Sequence, residues 1–134
     1  AYAYVGVQVG DRRIAFGSDS PIMDETERTL VPLAKIASAL NMKTHWDNVT
    51  RTATFTLDYW VYDYPFTDAA KGKLTNAAFA FQIDSPTLVC EWQWEKQDTP
   101  EVTQVTMDTA PRIINSRTYA PVRYLAEAAG YVVD

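Results

Sequence analysis

The chain of 134 residues carries 12 Lys and Arg against 17 Asp and Glu, a net charge of −5, and is 47% hydrophobic. This composition is typical of one folded domain with its own core. The Lys and Arg side chains form no cluster, which argues against nucleic-acid binding through phosphate neutralisation. No apolar run approaches the roughly 20 residues of a transmembrane helix, so we expect no membrane span.

The first predicted element is a β-hairpin. Val5, Val7 and Val9 alternate with small or polar residues and predict a strand, Gly10-Asp11 predicts a turn, and residues 14–16 predict a return strand. The sequence begins with Ala rather than Met, so we expect a mature secreted protein whose signal peptide has been removed. A sequence trimmed at its start would look the same.

One short motif occurs twice. Residues 28–33 read Arg-Thr-Leu-Val-Pro-Leu and residues 117–122 read Arg-Thr-Tyr-Ala-Pro-Val, an offset of 117 − 28 = 89 residues. Behind each Pro, apolar residues recur at i, i+3, i+4 and i+7, which predicts a short helix at Pro32–Leu40 and another at Pro121–Ala129. Proline is tolerated there because the first turn of a helix does not use its N–H.

The segments around the first helix and after it predict sheet structure. Asn41 and Gly130 follow the two helical stripes, and both residue types accept the left-handed conformation that ends a helix. Residues 42–57 then predict a strand, a turn at Asp47-Asn48 and a second strand, in which alternate residues face the core. The alternating apolar residues of that second strand are Ala53, Phe55 and Leu57.

The middle segment, residues 59–101, predicts further β structure with loops. We expect, in chain order, an aromatic strand at 60–66, a polar loop at 68–76, strands at 77–83 and 88–94 paired across 84–86, and a strand at 102–107.

The elements together predict a β-rich α+β fold in one domain of two related halves, each with strands and one short helix. The halves cover about residues 5–58 and 102–134, with the second copy truncated, and the β-rich middle segment 59–101 lies between them.

The repeated motif resembles the copper amine oxidase N-terminal-domain-like family, also called stalk domains, of Gram-positive cell-surface proteins. The matching residues are 21–47 and 110–130. Ala34 departs from the family, which usually has Arg there, as the second copy has at Arg123. The resemblance implies an accessory, stalk-like part of a secreted or wall-associated protein, usually without assigned activity. The family's name does not imply copper or oxidase chemistry.

The side chains that common enzymes need are scarce. His45 is the only histidine and Cys90 the only cysteine, so a copper site of several imidazoles, a usual zinc site and a Ser-His or Cys-His nucleophile are disfavoured. We therefore expect no cofactor and no metal centre. Three roles remain open for the acidic loop Asp19–Glu27: a solvated surface, a weak calcium site, or the catalytic carboxylates of a small hydrolase.

Aromatic side chains recur at spacing two in the middle segment, which places them in rows on a strand face. Three roles remain open for these rows, namely core packing, a subunit interface, and stacking on sugar rings. The residues concerned are Trp60, Tyr62, Tyr64, Phe66, Trp92 and Trp94.

The two halves end differently. Residues 42–57 follow the first helix, whereas only 131–134 follow the second, so the second half lacks about a hairpin of sheet. Such a vacancy attracts another strand, and we hypothesise that Ala1–Val9 of one subunit fills it in the next by β-augmentation. The assembly interface would comprise Tyr2, Tyr4, Val5, Val7, Val9, Tyr131, Val132 and Val133.

These observations predict a non-catalytic extracellular structural protein whose partner is itself, as the self-associating subunit of a surface fibre or layer. The alternative is an accessory module that binds cell-wall polysaccharide or another glycan. A small hydrolase that uses paired carboxylates is the third hypothesis.

Overall fold

The structure is a computed structural model, and it describes residues 7–9, 12–58 and 67–130. It is a β-rich α+β fold with two sheets, a separate two-stranded hairpin and two short helices. In chain order the elements are β1 (Gln8–Val9), β2 (Arg12–Arg13), β3 (Ile22–Met23), β4 (Thr29–Pro32), α1 (Leu33–Ala39), β5 (Lys43–Asp47), β6 (Thr52–Asp58), β7 (Thr67–Asp68), β8 (Gly72–Gln82), β9 (Thr87–Trp94), β10 (Glu101–Thr106), β11 (Arg112–Ile114), β12 (Arg117–Pro121) and α2 (Val122–Ala128).

The first hairpin is shorter than its sequence predicts. β1 and β2 pair antiparallel over two residues each, and the N–H of Ile14 donates one further bond to the carbonyl of Val7 at 2.9 Å. The predicted return strand at residues 14–16 is wrong, because regular pairing stops at Arg13. Ile14 and Phe16 instead bury their side chains in the core.

The small sheet has the order β11-β12-β4-β3. Its two central strands are the two copies of the Arg-Thr-x-x-Pro motif, which pair antiparallel with Val31 opposite Ala120. Pro32 and Pro121 are the last residues of these strands, where each becomes the N-cap of the following helix. The motif therefore places both helices directly behind the middle of one sheet.

Both predicted helices are confirmed, one residue shorter at each end. In α1, Leu33, Ile36 and Ala37 are fully buried, and in α2 Leu125 is fully buried. The helices pack against each other, and α1 also contacts β4, β12 and β5.

The ends of the helices follow the expected chemistry. Asn41 has φ 59° and Gly130 has φ 98°, so both adopt the left-handed conformation that stops a helix.

The large sheet has the order β10-β9-β8-β6-β5, with β7 pairing to β8 as well. All of its pairs are antiparallel. The β5–β6 hairpin and the β8–β9 pairing across residues 84–86 confirm the sequence predictions. Phe55, Phe79 and Cys90 lie side by side on the inner face of the sheet and are at most 1% exposed.

The predicted polar loop at 68–76 is wrong. β8 begins at Gly72, and Leu74 is buried. Only a tight turn separates β7 from β8, and the Asp68 carboxylate closes it by accepting the N–H groups of Ala70 at 2.8 Å and Lys71 at 3.0 Å. A register irregularity between Leu74 and Asn76 interrupts the alternation of inward and outward side chains. The residues there therefore lack the regular polar–apolar alternation by which a strand is recognised in a sequence.

One hydrophobic cluster joins the helices, the inner face of the large sheet and the centre of the small sheet. Val31 and Ala120 contribute to it from the small sheet. Within the cluster the rings of Phe55 and Phe81 meet edge to face with centroids 5.8 Å apart.

Candidate functional site

Two of the predicted aromatic face residues, Trp92 and Trp94, lie on the inner face near the end of β9. Both are half-buried and pack against the core. The Trp92 ring meets Phe79 edge to face at 5.4 Å, and the ammonium of Lys71 lies 5.3 Å from the centre of the Trp94 ring. The other four predicted residues, Trp60, Tyr62, Tyr64 and Phe66, lie outside the described residues.

An open groove of ≈ 360 Å³ lies beside these two tryptophans. Its floor is the inner face of β8, β9 and β10, and its wall is the end of α2. The indole N–H of Trp92 donates to the Thr103 hydroxyl at 3.0 Å, which fixes the ring along the floor. The groove is lined by Leu74, Trp92, Trp94, Glu101, Thr103, Ala128, Ala129 and Gly130.

An ion pair borders this groove, since one of its two members, Glu101, lines it. Lys71 Nζ lies 2.7 Å from Glu101 Oε1, and the Gln97 amide donates to the same oxygen at 3.2 Å. The Lys71 ammonium, followed by the Gln97 amide, lowers the pKa of Glu101, and Glu101 in turn raises the pKa of Lys71. The charge of Glu101 is therefore compensated, and the rest of the lining is apolar or neutral.

The groove borders an edge of the large sheet. Among the residues that the structure describes, β10 pairs with β9 alone. Alternate residues of such a strand direct their N–H and C=O groups away from the sheet. Val102 and Val105 are 57% and 40% exposed, and residues 102–106 contain neither charge nor proline.

Natural edge strands usually carry lysine, proline or a bulge that discourages pairing with another chain. The opposite edge, β5, has Lys43 and Asp47 at its two ends. β10 has no such protection beyond Glu101, which lies at its first residue. β10 is thus the edge better suited to accept an added strand.

The predicted assembly residues are only partly described. Val7 is half-buried against the core, and Val9 lies in β1, paired with Arg12. The remaining predicted residues, Tyr2, Tyr4, Val5, Tyr131, Val132 and Val133, lie outside the described residues. Gly130, which directly precedes three of them, lines the groove.

The acidic loop before α1 is held by arginines of β11 and β12. Asp19 Oδ2 lies 3.2 Å from Arg117 Nε. The Glu25 carboxylate receives both terminal nitrogens of Arg112 at 3.2 and 3.3 Å, which lowers the pKa of Glu25. The acids of this loop thus connect the two parts of the small sheet.

Asp24 organises the turn of the same loop. Its Oδ1 accepts the Thr26 N–H at 2.9 Å, the Thr26 hydroxyl at 2.8 Å and the Arg28 N–H at 2.8 Å. Burial raises the pKa of this carboxyl, but these hydrogen bonds and the Arg28 charge outweigh burial, so the net pKa is lowered. The turn also places Glu27 at φ 65°.

His45 and Cys90 are kept apart by the sheet. His45 is exposed on the outer face of β5, opposite Thr54, whereas Cys90 is buried on the inner face. A shallow outer trough of ≈ 490 Å³ lies beside His45, and its lining is mainly threonine and other small or polar side chains.

Over the described ranges, no three His, Cys, Asp or Glu side chains are placed to hold a metal ion. With His45 as the single histidine of the sequence, the residues present do not fit a copper site of several imidazoles.

Sequence reasoning found Trp92 and Trp94 but missed the rest of the groove. Leu74 fell in the predicted loop, and Thr103 carried no signal. The end of α2 reaches the tryptophans only through tertiary packing. No helix in the described part of the chain is long and apolar enough to cross a membrane.

Comparison with curated proteins and with solved structures finds no significant match. The family model of the copper amine oxidase N-terminal domain matches residues 8–134, including both motif copies and the middle segment. In copper amine oxidase this domain is a non-catalytic accessory domain. The match covers nearly the whole sequence, and the chain therefore belongs to the copper amine oxidase N-terminal domain family.

Proposed function

We propose that this chain is a non-catalytic structural module of a secreted or cell-surface protein, and that it self-associates into a fibre or layer. The observation that carries the proposal is the unprotected edge of β10, where Val102 is 57% exposed on the outer face and Thr103 lines an apolar groove on the inner face. An exposed β-branched edge without charge is a template for pairing with another chain. A module that binds copies of itself through backbone pairing needs no catalytic side chains.

The absence of an enzymatic role is supported by side-chain placement. The single histidine is separated by a sheet from the single cysteine, and Arg117 and Arg112 engage Asp19 and Glu25 of the acidic loop. These pairs bind the loop to the fold and engage the carboxylates of Asp19 and Glu25.

Two related halves also fit this architecture. Arg28 pairs with Asp108 at 2.7 Å, and Arg117 pairs with Asp19 at 3.2 Å. Each Asp precedes the Arg of its own motif copy by nine residues, since 28 − 19 = 9 and 117 − 108 = 9. The Arg of each motif copy thus pairs with the Asp that precedes the other copy. Two duplicated units that pack against each other, with their motif strands antiparallel at the centre, would make such reciprocal pairs.

The test of self-association compares matched substitutions on two edge strands. Val102→Lys places a lysine on β10, and Met23→Lys places one on β3 at a nearly equal exposure of 55%. We expect the wild type and Met23→Lys to sediment as multimers and form assemblies in electron micrographs, and Val102→Lys to be monomeric. A monomeric wild type across the accessible concentration range would refute the proposal.

A second candidate function is binding to cell-wall polysaccharide. It is favoured by the half-buried ring of Trp94, which lines the groove and could stack on a sugar. Wild type should then be retained on insoluble cell-wall polysaccharide and Trp94→Ala should not. Equal retention of both proteins would exclude the groove as a sugar site.

A further inference from the structure

We propose that the β10 edge and the adjoining groove form an acceptor site for residues 1–6 of a second copy, which add to the large sheet as one more strand. The inference rests on the proposed self-association and names its donor and acceptor. It also moves the acceptor away from Tyr131–Val133, where the sequence alone placed it.

The two segments match in length. β10 comprises six residues, Glu101–Thr106, the same number as the proposed donor, residues 1–6. At about 3.3 Å per residue each spans roughly 20 Å when extended. A strand of residues 1–6 can therefore pair along the whole of β10.

The fold keeps the adjoining residues in their own copy. The Val7 carbonyl accepts the Ile14 N–H at 2.9 Å, β1 pairs with β2, and the Val7 side chain packs on the core. Donation thus needs no opening of the β1–β2 hairpin. The six preceding residues are Ala-Tyr-Ala-Tyr-Val-Gly, without a charged side chain or proline, as a donated strand requires.

The groove supplies positions for the side chains of the added strand. On β10, Glu101 and Thr103 are the residues that line the groove, so inward side chains of a neighbouring strand would enter beside them. Tyr2 and Tyr4 share one face of an extended segment. Their rings suit the apolar floor at Trp92, and their hydroxyls suit the polar end at the Lys71–Glu101 ion pair.

Donor and acceptor are different surfaces of the chain, so the contact is head-to-tail. Each copy that donates its first residues still presents a free β10, and growth continues unless the rotation between copies closes a ring. If β10 instead paired with β10 of a second copy about a two-fold axis, both edges would be occupied and assembly through this edge would stop at a dimer. The two arrangements predict different behaviour in a mixing experiment.

The experiment uses two complementary variants of the full chain. Deletion of residues 1–6 removes the donor and keeps the acceptor, whereas Thr103→Lys keeps the donor and places a charged side chain in the groove. Thr103 is exposed, so the fold should survive, and circular dichroism of each variant verifies this. If Thr103→Lys does not fold, Ala128→Lys on the opposite wall replaces it.

We expect each variant alone to sediment as a monomer and the equimolar mixture to form a complex of about twice the monomer mass that grows no further. A variant with both changes should not bind the deletion variant. A synthetic peptide of residues 1–6 should raise the melting temperature of the deletion variant as its concentration rises, and the same peptide with Tyr2→Ser and Tyr4→Ser should not.

Two results would overturn the inference while leaving self-association intact. One is a deletion variant that assembles like the wild type. The contact would then be β10 against β10 of a second copy, or a different surface. The other is a pair of monomeric variants that form no mixed complex, which would mean that residues 1–6 act within their own copy. A wild type that never assembles would instead refute the proposed function itself.

Discussion

Arg28 Nε lies 2.7 Å from Asp108 Oδ2, joining the start of the first motif copy to the strand end that precedes the second. The Tyr124 hydroxyl donates to the other oxygen of the same carboxylate at 2.8 Å and accepts the Asp108 N–H at 3.0 Å. Asp108 thus ties together the loop before β4, the end of β10 and helix α2. Its charge state should affect how firmly these parts are held.

The first prediction concerns acid. The Arg28 guanidinium and then the Tyr124 hydroxyl lower the pKa of Asp108. A carboxyl whose pKa is lower in the folded state stabilises the fold above its unfolded pKa of about 3.9, and this stabilisation is lost as the pH falls through the folded value. Asp108→Asn should therefore be less stable than wild type at pH 7, and the difference should shrink below about pH 4.

Urea unfolding of both proteins between neutral and acid pH measures this difference. The expected effect is modest because both members of the ion pair are partly exposed. Asp98→Asn, in the exposed loop between β9 and β10, serves as the control for charge alone. A stability difference for Asp108→Asn that stays constant with pH would contradict the role assigned to its ionisation.

The second prediction concerns the helices. Leu33, the first residue of α1, and Leu125, the fourth residue of α2, are both fully buried. Replacing either with Ala should lower the free energy of unfolding by about 2–5 kcal/mol, because each change leaves a cavity in the shared core. Val49→Ala, at a residue 92% exposed, should change it by less than about 0.5 kcal/mol. Wild-type stability in both Leu variants would show that the helices are peripheral.

The third prediction concerns Cys90. Burial raises the pKa of its thiol, and the Thr103 hydroxyl only partly offsets this, so little thiolate is present at neutral pH. A thiol reagent should label native protein at least about 100-fold more slowly than protein in concentrated urea, since labelling requires local opening. Mass spectrometry of timed samples provides the measurement, and rapid labelling of native protein would place Cys90 in a mobile part of the sheet.

The fourth prediction concerns metals. The carboxylates Asp19 and Glu25 of the acidic loop are engaged by arginines, so thermal melts with and without a strong chelator should coincide. A decrease of more than about 5 °C on chelation, roughly 1 kcal/mol for a domain of this size, would identify a structural metal site. Calcium added back should then restore the melting temperature if the acidic loop is that site.

The sequence was most informative where one period governed a whole segment. The helical stripe from Leu33 to Leu40 predicted α1, and the alternation of Ala53, Phe55 and Leu57 predicted β6 with its buried face. In both cases side chains on one face pack against the same core, so local pattern and tertiary structure agree.

The rest depended on contacts between distant residues. The irregularity beside Leu74 shifts the strand period, which made the start of β8 look like a loop. The groove joins Leu74, Thr103 and Gly130, which meet only after β8, β9 and β10 have paired and α2 has packed on them. Because no local pattern encodes such a meeting, Trp92 and Trp94 were the only part of the groove that sequence could suggest.

The pairing of β4 with β12 also sets the order in which the molecule can fold. Val31 and Ala120 are partners across 120 − 31 = 89 residues, whereas the strands of the large sheet follow one another closely along the chain. Closing a long loop costs entropy before its contacts form, and non-local pairing slows folding. During synthesis the large sheet can form while β12 is still being made, so we expect the small sheet to close after the large one.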